Sequence, residues 1–148
     1  MANVSRTTAD GRSIVTLHTV QVTEVIKGVS APRDFVTLVV LGGRVFFSDG
    51  TFAQIDTPDF WPIRSDVSLI LFGREAPNRL IAGNEDQLQQ GGAFEPVAGP
   101  LGLFDLSSFR GPHVLPFGSY KTQLGQFVYK SKWTPEEFLT QVRTAIAK

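Results

Sequence analysis

The chain has 148 residues, 14 basic against 14 acidic, and no cysteine. That length suits one domain able to bury a core unaided, and the composition excludes disulfide frameworks, thiol nucleophiles and cysteine-built zinc sites. No apolar run approaches the ~18 residues of a membrane span, and zero net charge disfavours a nucleic-acid binder, which would show a basic excess.

The charge is unevenly spread. Residues 51–109 hold three Arg against eight Asp and Glu, and residues 110–148 hold six basic residues against two acidic ones. This reads as a weakly dipolar surface. Residues 1–12 have no hydrophobic core, so they are expected to be a flexible N-terminus without a signal peptide. On this reading an exported form of the protein has already lost its signal.

The first strand is expected from Ser13 to Lys27, ended by Gly28. Val15 and Leu17 share one parity, whereas Val20, Val22 and Ile26 have the other. One face of a period-two strand cannot hold both sets. The phase therefore predicts a β-bulge near His18–Thr19, which would turn Val15, Leu17, Val20 and Val22 into one core. A long, bent first strand is what a small closed barrel needs.

Phe35 to Leu41 (FVTLVVL) is the next strand, stopped by Gly42-Gly43. Arg44 to Ile55 (RVFFSDGTFAQI) reads as a hairpin around a two-residue Asp49-Gly50 turn of type I′. The implied pairs are Phe47 with Phe52, Phe46 with Ala53 and Arg44 with Ile55. Residues 56–66 (DTPDFWPIRSD) form a loop. Val67 to Gly73 (VSLILFG) reads as a buried strand, with Arg79 to Gly83 (RLIAG) as its antiparallel partner across an EAPN turn.

Glycines crowd the stretch from Gly83 to Gly125, within which GPLGLFDL, Gly99 to Leu106, holds a short strand. QFVYKSKW, ending at Trp133, alternates like another strand. Then TPEE opens a helix over 134–147. Thr134 is the N-cap, Pro135 takes the first helical position and Glu137 completes a capping box. Phe138, Leu139, Val142, Ala145 and Ile146 fall on one apolar stripe, expected to dock on the chain's own barrel.

The order VxVTEVIKG, a strand ending in Gly-Gly, then DVSLILFG, RLIAG and GPLGLFDL resembles a group of small bacterial β-barrel proteins, usually exported and mostly uncharacterised. Their barrel is of the oligonucleotide/oligosaccharide-binding (OB) type, similar to netrin-like and metalloproteinase-inhibitor-like modules. The resemblance spans roughly residues 12–106, and it implies a barrel and an exported protein rather than an activity. Inhibitor modules of this kind chelate the protease zinc through an N-terminal cysteine, and this chain has none.

Residues able to do chemistry are few. His18 sits in a strand and His113 in a Gly-Pro loop, and neither has a second histidine at ligand spacing. Ser119 is not in a nucleophile turn, since no G-x-S-x-G occurs. No phosphate-binding glycine loop is present. Asp56 and Asp59, with Asp66 nearby, and Glu85-Asp86 are the paired carboxylates. DTPD is best read as a capped turn, with Asp56 and Asp59 as weak metal candidates only.

The best functional hint is the hairpin. Its faces sort as Val45, Phe47, Phe52 and Gln54, expected in the core, and Arg44, Phe46, Ser48, Thr51, Ala53 and Ile55. The second face mixes a base, an aromatic ring and hydroxyls, as an OB ligand face does. Arg44, Phe46, Ser48 and Thr51 are therefore the ligand-binding candidates.

The expected fold is mainly β: a single domain over 1–148, with an OB-like closed or partly open barrel over 13–106 and a bulged first strand. A long irregular Gly/Pro-rich segment with a strand follows over 107–133, and then one C-terminal α-helix. The expected function is a non-enzymatic binding or interaction module for another protein or a small ligand. No catalytic residue, metal or cofactor is assigned. The alternatives are a single-stranded nucleic-acid or oligosaccharide binder on the OB face, and an enzyme using loop carboxylates.

Overall fold

The computed structural model describes residues 3–28, 34–56, 63–65, 67–107, 115–116 and 133–148. The fold is mainly β with a C-terminal helix. A five-stranded sheet carries the molecule. Its order is β1 (Asn3–Thr7), β2 (Ile14–Gln21), β3 (Phe35–Leu41), β8 (Ala93–Pro96) and β7 (Gly73–Glu75). Neighbours in it are antiparallel except β3 and β8, which run parallel. Strands β4 (Gly43–Phe46) and β5 (Phe52–Ile55) make a separate hairpin. Strands β6 (Leu69–Leu71), β9 (Leu103–Asp105) and β10 (Leu115–Pro116) make a third sheet.

Helix α1 (Asn78–Ile81) is a single turn, and α2 (Pro135–Ala147) closes the chain. Among the described residues no helix is long and apolar enough to cross a membrane.

The apolar side chains explain this layering. Leu38 and Val40 point to one side of β3, where they meet Ile63, Leu103, Leu69 and Leu71. Val39 points to the other side and meets Val15, Leu17 and Leu80. The large sheet is thus covered on both faces, by α1 on one and by the β6–β9 sheet on the other. Strands covered on both faces read as nearly continuous apolar runs, and FVTLVVL is buried from Val36 to Val40. The β6–β9 sheet is covered twice as well. Leu69 and Leu71 face the large sheet, whereas Ile70 and Phe104 face α2.

Two-sided burial corrects the expected bulge. Strand β2 pairs without interruption on both edges through His18, from Asn3↔His18 to Thr7↔Ile14 and from Val15↔Leu41 to Gln21↔Phe35. The opposite parities of Leu17 and Val20 need no phase correction, because each points into its own core. The N-terminus also differs from expectation. Asn3–Thr7 is an edge strand of the large sheet, its register held by β2.

RLIAG is not a strand. Leu80 is carried on the helical turn α1, which Gly83 follows at φ +80°. A run this short holds no usable periodicity, so strand and helix are indistinguishable in it. The partner of VSLILFG is LFD instead, with Ile70 opposite Phe104. The short strand expected within GPLGLFDL is therefore present. Of the 107–133 segment, the two-residue β10 pairs with β9. The strand expected in QFVYKSKW lies outside the described residues, apart from Trp133.

Helix α2 forms as its caps dictate. Thr134 Oγ1 accepts from the Glu137 amide at 3.3 Å, and the Glu137 carboxylate accepts from the Thr134 amide at 2.9 Å. Phe138 is 6% exposed and stacks at 4.9 Å on Phe104 and 6.0 Å on Trp133. Leu139 and Val142 pack in the same cluster, so this part of the stripe docks on its own chain, whereas Ala145 and Ile146 at its end are exposed. Arg143 adds a two-pronged ion pair to Glu24 at 2.7 Å.

Candidate functional site

The hairpin closes by a different turn from the one expected. The Gly50 amide donates to the Phe47 carbonyl at 3.0 Å, and the Phe47 amide to the Thr51 carbonyl at 2.9 Å. The loop therefore has three residues, Ser48-Asp49-Gly50, and of these only Gly50 has positive φ, at +85°. A type I′ turn needs two such residues, whereas a three-residue hairpin loop needs one, in its last position. Asp49 holds the loop by accepting from the Thr51 amide and hydroxyl at 2.9 and 2.6 Å. Those bonds, the hydroxyl first, lower its carboxyl pKa below the ordinary value.

The longer loop shifts the register by one residue. Phe46 faces Phe52, and Arg44 faces Gln54. The expected core pair Phe47–Phe52 is replaced by Phe46–Phe52, with ring centroids 6.0 Å apart. This pair is not core: Phe46 is 68% exposed and Phe52 is 56% exposed. Ser48 and Thr51 belong to the turn, and Ala53 and Ile55 pair with Val45 and Gly43. Of the four candidates, Arg44 and Phe46 thus share a face with Phe52 and Gln54, while Ser48 and Thr51 stand apart.

The Arg44 guanidinium lies 4.8 Å from the Phe52 ring centroid, and its Nε donates to Gln54 Oε1 at 2.7 Å. Gln54 in turn donates to Asp56 Oδ1 at 2.5 Å. A hydrogen-bonded row thus runs along the hairpin from the aromatic pair to its base.

That row borders a cleft of about 460 Å³, in which Arg44, Gln54 and Asp56 face Asn3, Ser5, Thr16 and His18. The four residues of β1 and β2 lie on one face because Asn3 pairs with His18 and Ser5 with Thr16. Gly43 makes the close crossing possible. It adopts φ +134°, and a Cβ there would run into Thr16 Oγ1 and Ser5 Oγ. Thr16 donates to the Gly42 carbonyl at 2.7 Å and bonds Ser5 Oγ at 3.0 Å, tying the corner to the floor.

His18 is 7% exposed, and its Nδ1 has no hydrogen-bond partner among the described residues. Burial pushes its pKa from 6.5 to about 4, so the ring is neutral near pH 7. A neutral imidazole both donates and accepts.

Asp56 is bonded to Gln54, and Asp59 lies outside the described residues, as do Asp66, His113 and Ser119. Among the described residues no group of three His, Asp or Glu could hold an ion. Glu85 and Asp86 sit in an exposed turn, where Asp86 accepts from Gln87 at 2.6 Å.

Sequence reasoning missed Asn3, Ser5, Thr16, His18 and Gln54 as lining residues. Thr16 and His18 alternating with Val15 and Leu17 was the available signal: a polar pair on one face of an otherwise apolar strand.

Compared with protein-family models, with curated proteins and with solved structures, the chain matches none.

Proposed function

We propose that this chain is a non-enzymatic binding module that recognises its ligand with hairpin β4–β5 and the cleft beneath it. The observation that carries this reading is the exposure of Phe46 and Phe52 as a pair, with Arg44 laid against one of the rings. Large apolar rings gathered in one exposed place are the usual mark of an interaction surface. In the accompanying fold reading, the five-stranded sheet and the elements packed on it form an OB-like barrel left partly open. Five strands in a sheet that does not close suit that architecture.

Arg44 over Phe52 also favours a second reading, a single-stranded nucleic-acid site, since such sites pair stacking rings with bases. Titration of isotope-labelled protein with a (dT)10 oligonucleotide, with oligosaccharides and with short peptides tests both readings. One probe class should move the amides of residues 43–47 and 51–55, and Phe46→Ala with Phe52→Ala should abolish the shift. Binding by (dT)10 that weakens steeply with salt selects the second reading. Shifts that all fall away from the hairpin refute both.

A further inference from the structure

We infer that the outer edge of strand β5 pairs with the β5 edge of a second copy of this chain. This rests on the binding-module reading and names the partner of its hairpin.

The backbone shows the open edge. Directly opposite residues in an antiparallel ladder alternate between hydrogen-bonded and non-bonded pairs. The Phe47 amide donates to the Thr51 carbonyl. By alternation Phe46↔Phe52 and Arg44↔Gln54 are the non-bonded pairs. The N–H and C=O groups of Phe52 and Gln54 therefore point away from β4. Among the described residues no strand lies beyond them, since β4 and β5 form a sheet of two. Strand β4 is the one that crosses β1 and β2, which leaves β5 outermost. A two-stranded ribbon is marginal in water, and added strands stabilise it.

The side chains favour the same strand as occupant. Exposed edges are normally blocked by charge, proline or a bulge. The outer strands of the large sheet follow that rule, for β1 carries Arg6 and β7 carries Arg74 and Glu75. Strand β6 is only three residues long. Phe52-Ala53-Gln54-Ile55 has no such block. A two-fold axis at Ala53 places Phe52 opposite Gln54 of the second copy, and Gln54 opposite its Phe52. Both are then hydrogen-bonded pairs, so the outward peptide groups of the two copies satisfy one another. Opposite residues share a parity in this register. Phe46 and Phe52 of both copies therefore lie on one face with both Gln54 side chains, and no charge stands directly across the seam. A foreign strand would also fill the edge, but only a copy brings this self-matched register.

Two short hairpins make a small contact, so association is expected between micromolar and millimolar concentration. In sedimentation of the full chain over that range, the mass should rise from 16.2 kDa towards twice that value. Gln54→Pro removes an outward N–H and no backbone bond of the hairpin, so it should weaken self-association about 10-fold or more. Ala53→Cys gives a second readout. The two copies of residue 53 form a non-bonded pair on the axis, about 4.5 Å apart at Cα, which a disulfide can span. The chain has no cysteine of its own, so mild oxidation should link this variant into a dimer, whereas Ser48→Cys on the turn should stay largely unlinked. Should Gln54→Pro misfold, the cysteine link decides. A single mass at every concentration overturns the inference. So does unchanged association in folded Gln54→Pro, or an Ala53→Cys that stays unlinked. If the chain stays monomeric while (dT)10 or a peptide moves the hairpin, self-pairing fails and the binding module stands. Pairing through another surface, with no probe moving the hairpin, fells both.

Discussion

Acidification isolates His18. The side chain is 7% exposed, and burial sets its folded-state pKa at about 4, against 6.5 in an unfolded chain. Between those values the unfolded chain binds a proton on this residue and the folded chain does not. Stability therefore falls as pH falls from about 6.5 towards 4, and it is regained as pH rises. The slope for one proton is about 1.4 kcal/mol per pH unit, so the whole window amounts to about 3 kcal/mol. That is a large share of the roughly 5–15 kcal/mol typical of a domain.

Asp10 and Asp49 act lower down. Hydrogen bonds from Thr8 and Thr51 hold their carboxyls below the ordinary 3.8, so what they contribute is lost only beneath the His18 window. The assay is urea unfolding at half-unit steps from pH 7 to 4.5, on the parent chain and on His18→Leu. The parent should lose stability on this slope relative to the variant. A direct proton-resonance titration of His18 in the parent should show the ring still neutral at pH 5, whether or not the variant folds. A constant difference between the two proteins across the range, or a ring already charged at pH 5.5, would refute the buried, neutral cleft floor.

Phe138→Ala removes the ring that α2 seats on Phe104 and Trp133, and should destabilise by about 3–5 kcal/mol in the same urea assay. Gly43→Ala puts a Cβ against Thr16 and Ser5 at φ +134°, and should lower stability by at least about 1 kcal/mol while disturbing the cleft amides. Gly50→Val forces a β-branched residue to φ +85° and should also lower the melting point, by the equivalent of about 1 kcal/mol or more. Arg143→Ala breaks a half-exposed ion pair with Glu24, and the change should stay within about 1 kcal/mol and shrink further in salt.

Features whose cause lies within a few residues were legible in the chain itself. The capping box of Thr134 and Glu137, the docking of Phe138, Leu139 and Val142 behind it and the end of β3 before Gly42 all formed as expected. So did the strand FVTLVVL, and a hairpin follows it, although with another turn and register. These are local bargains between a backbone and its nearest side chains, and distant elements did not overturn them. Arg44 and Phe46 were also legible as a mixed basic-aromatic face, although their partners were not.

What only the tertiary structure decided was which neighbour each face would meet. Alternation in β2 shows that Leu17 and Val20 point oppositely, but not that α1 waits on one side and the β6–β9 sheet on the other. Lacking that, a bulge was the natural inference, and it was wrong. The hairpin register hung on whether Ser48 joins the loop, a one-residue choice that sent Phe52 from the expected core to the surface. The cleft needed more still: Asn3 and Asp56 lie far apart in the chain, and they line one space only because Gly43 lets β4 cross β1 and β2 so closely. Local chemistry chooses the element, whereas burial chooses the face, and burial is a property of residues the segment has yet to meet.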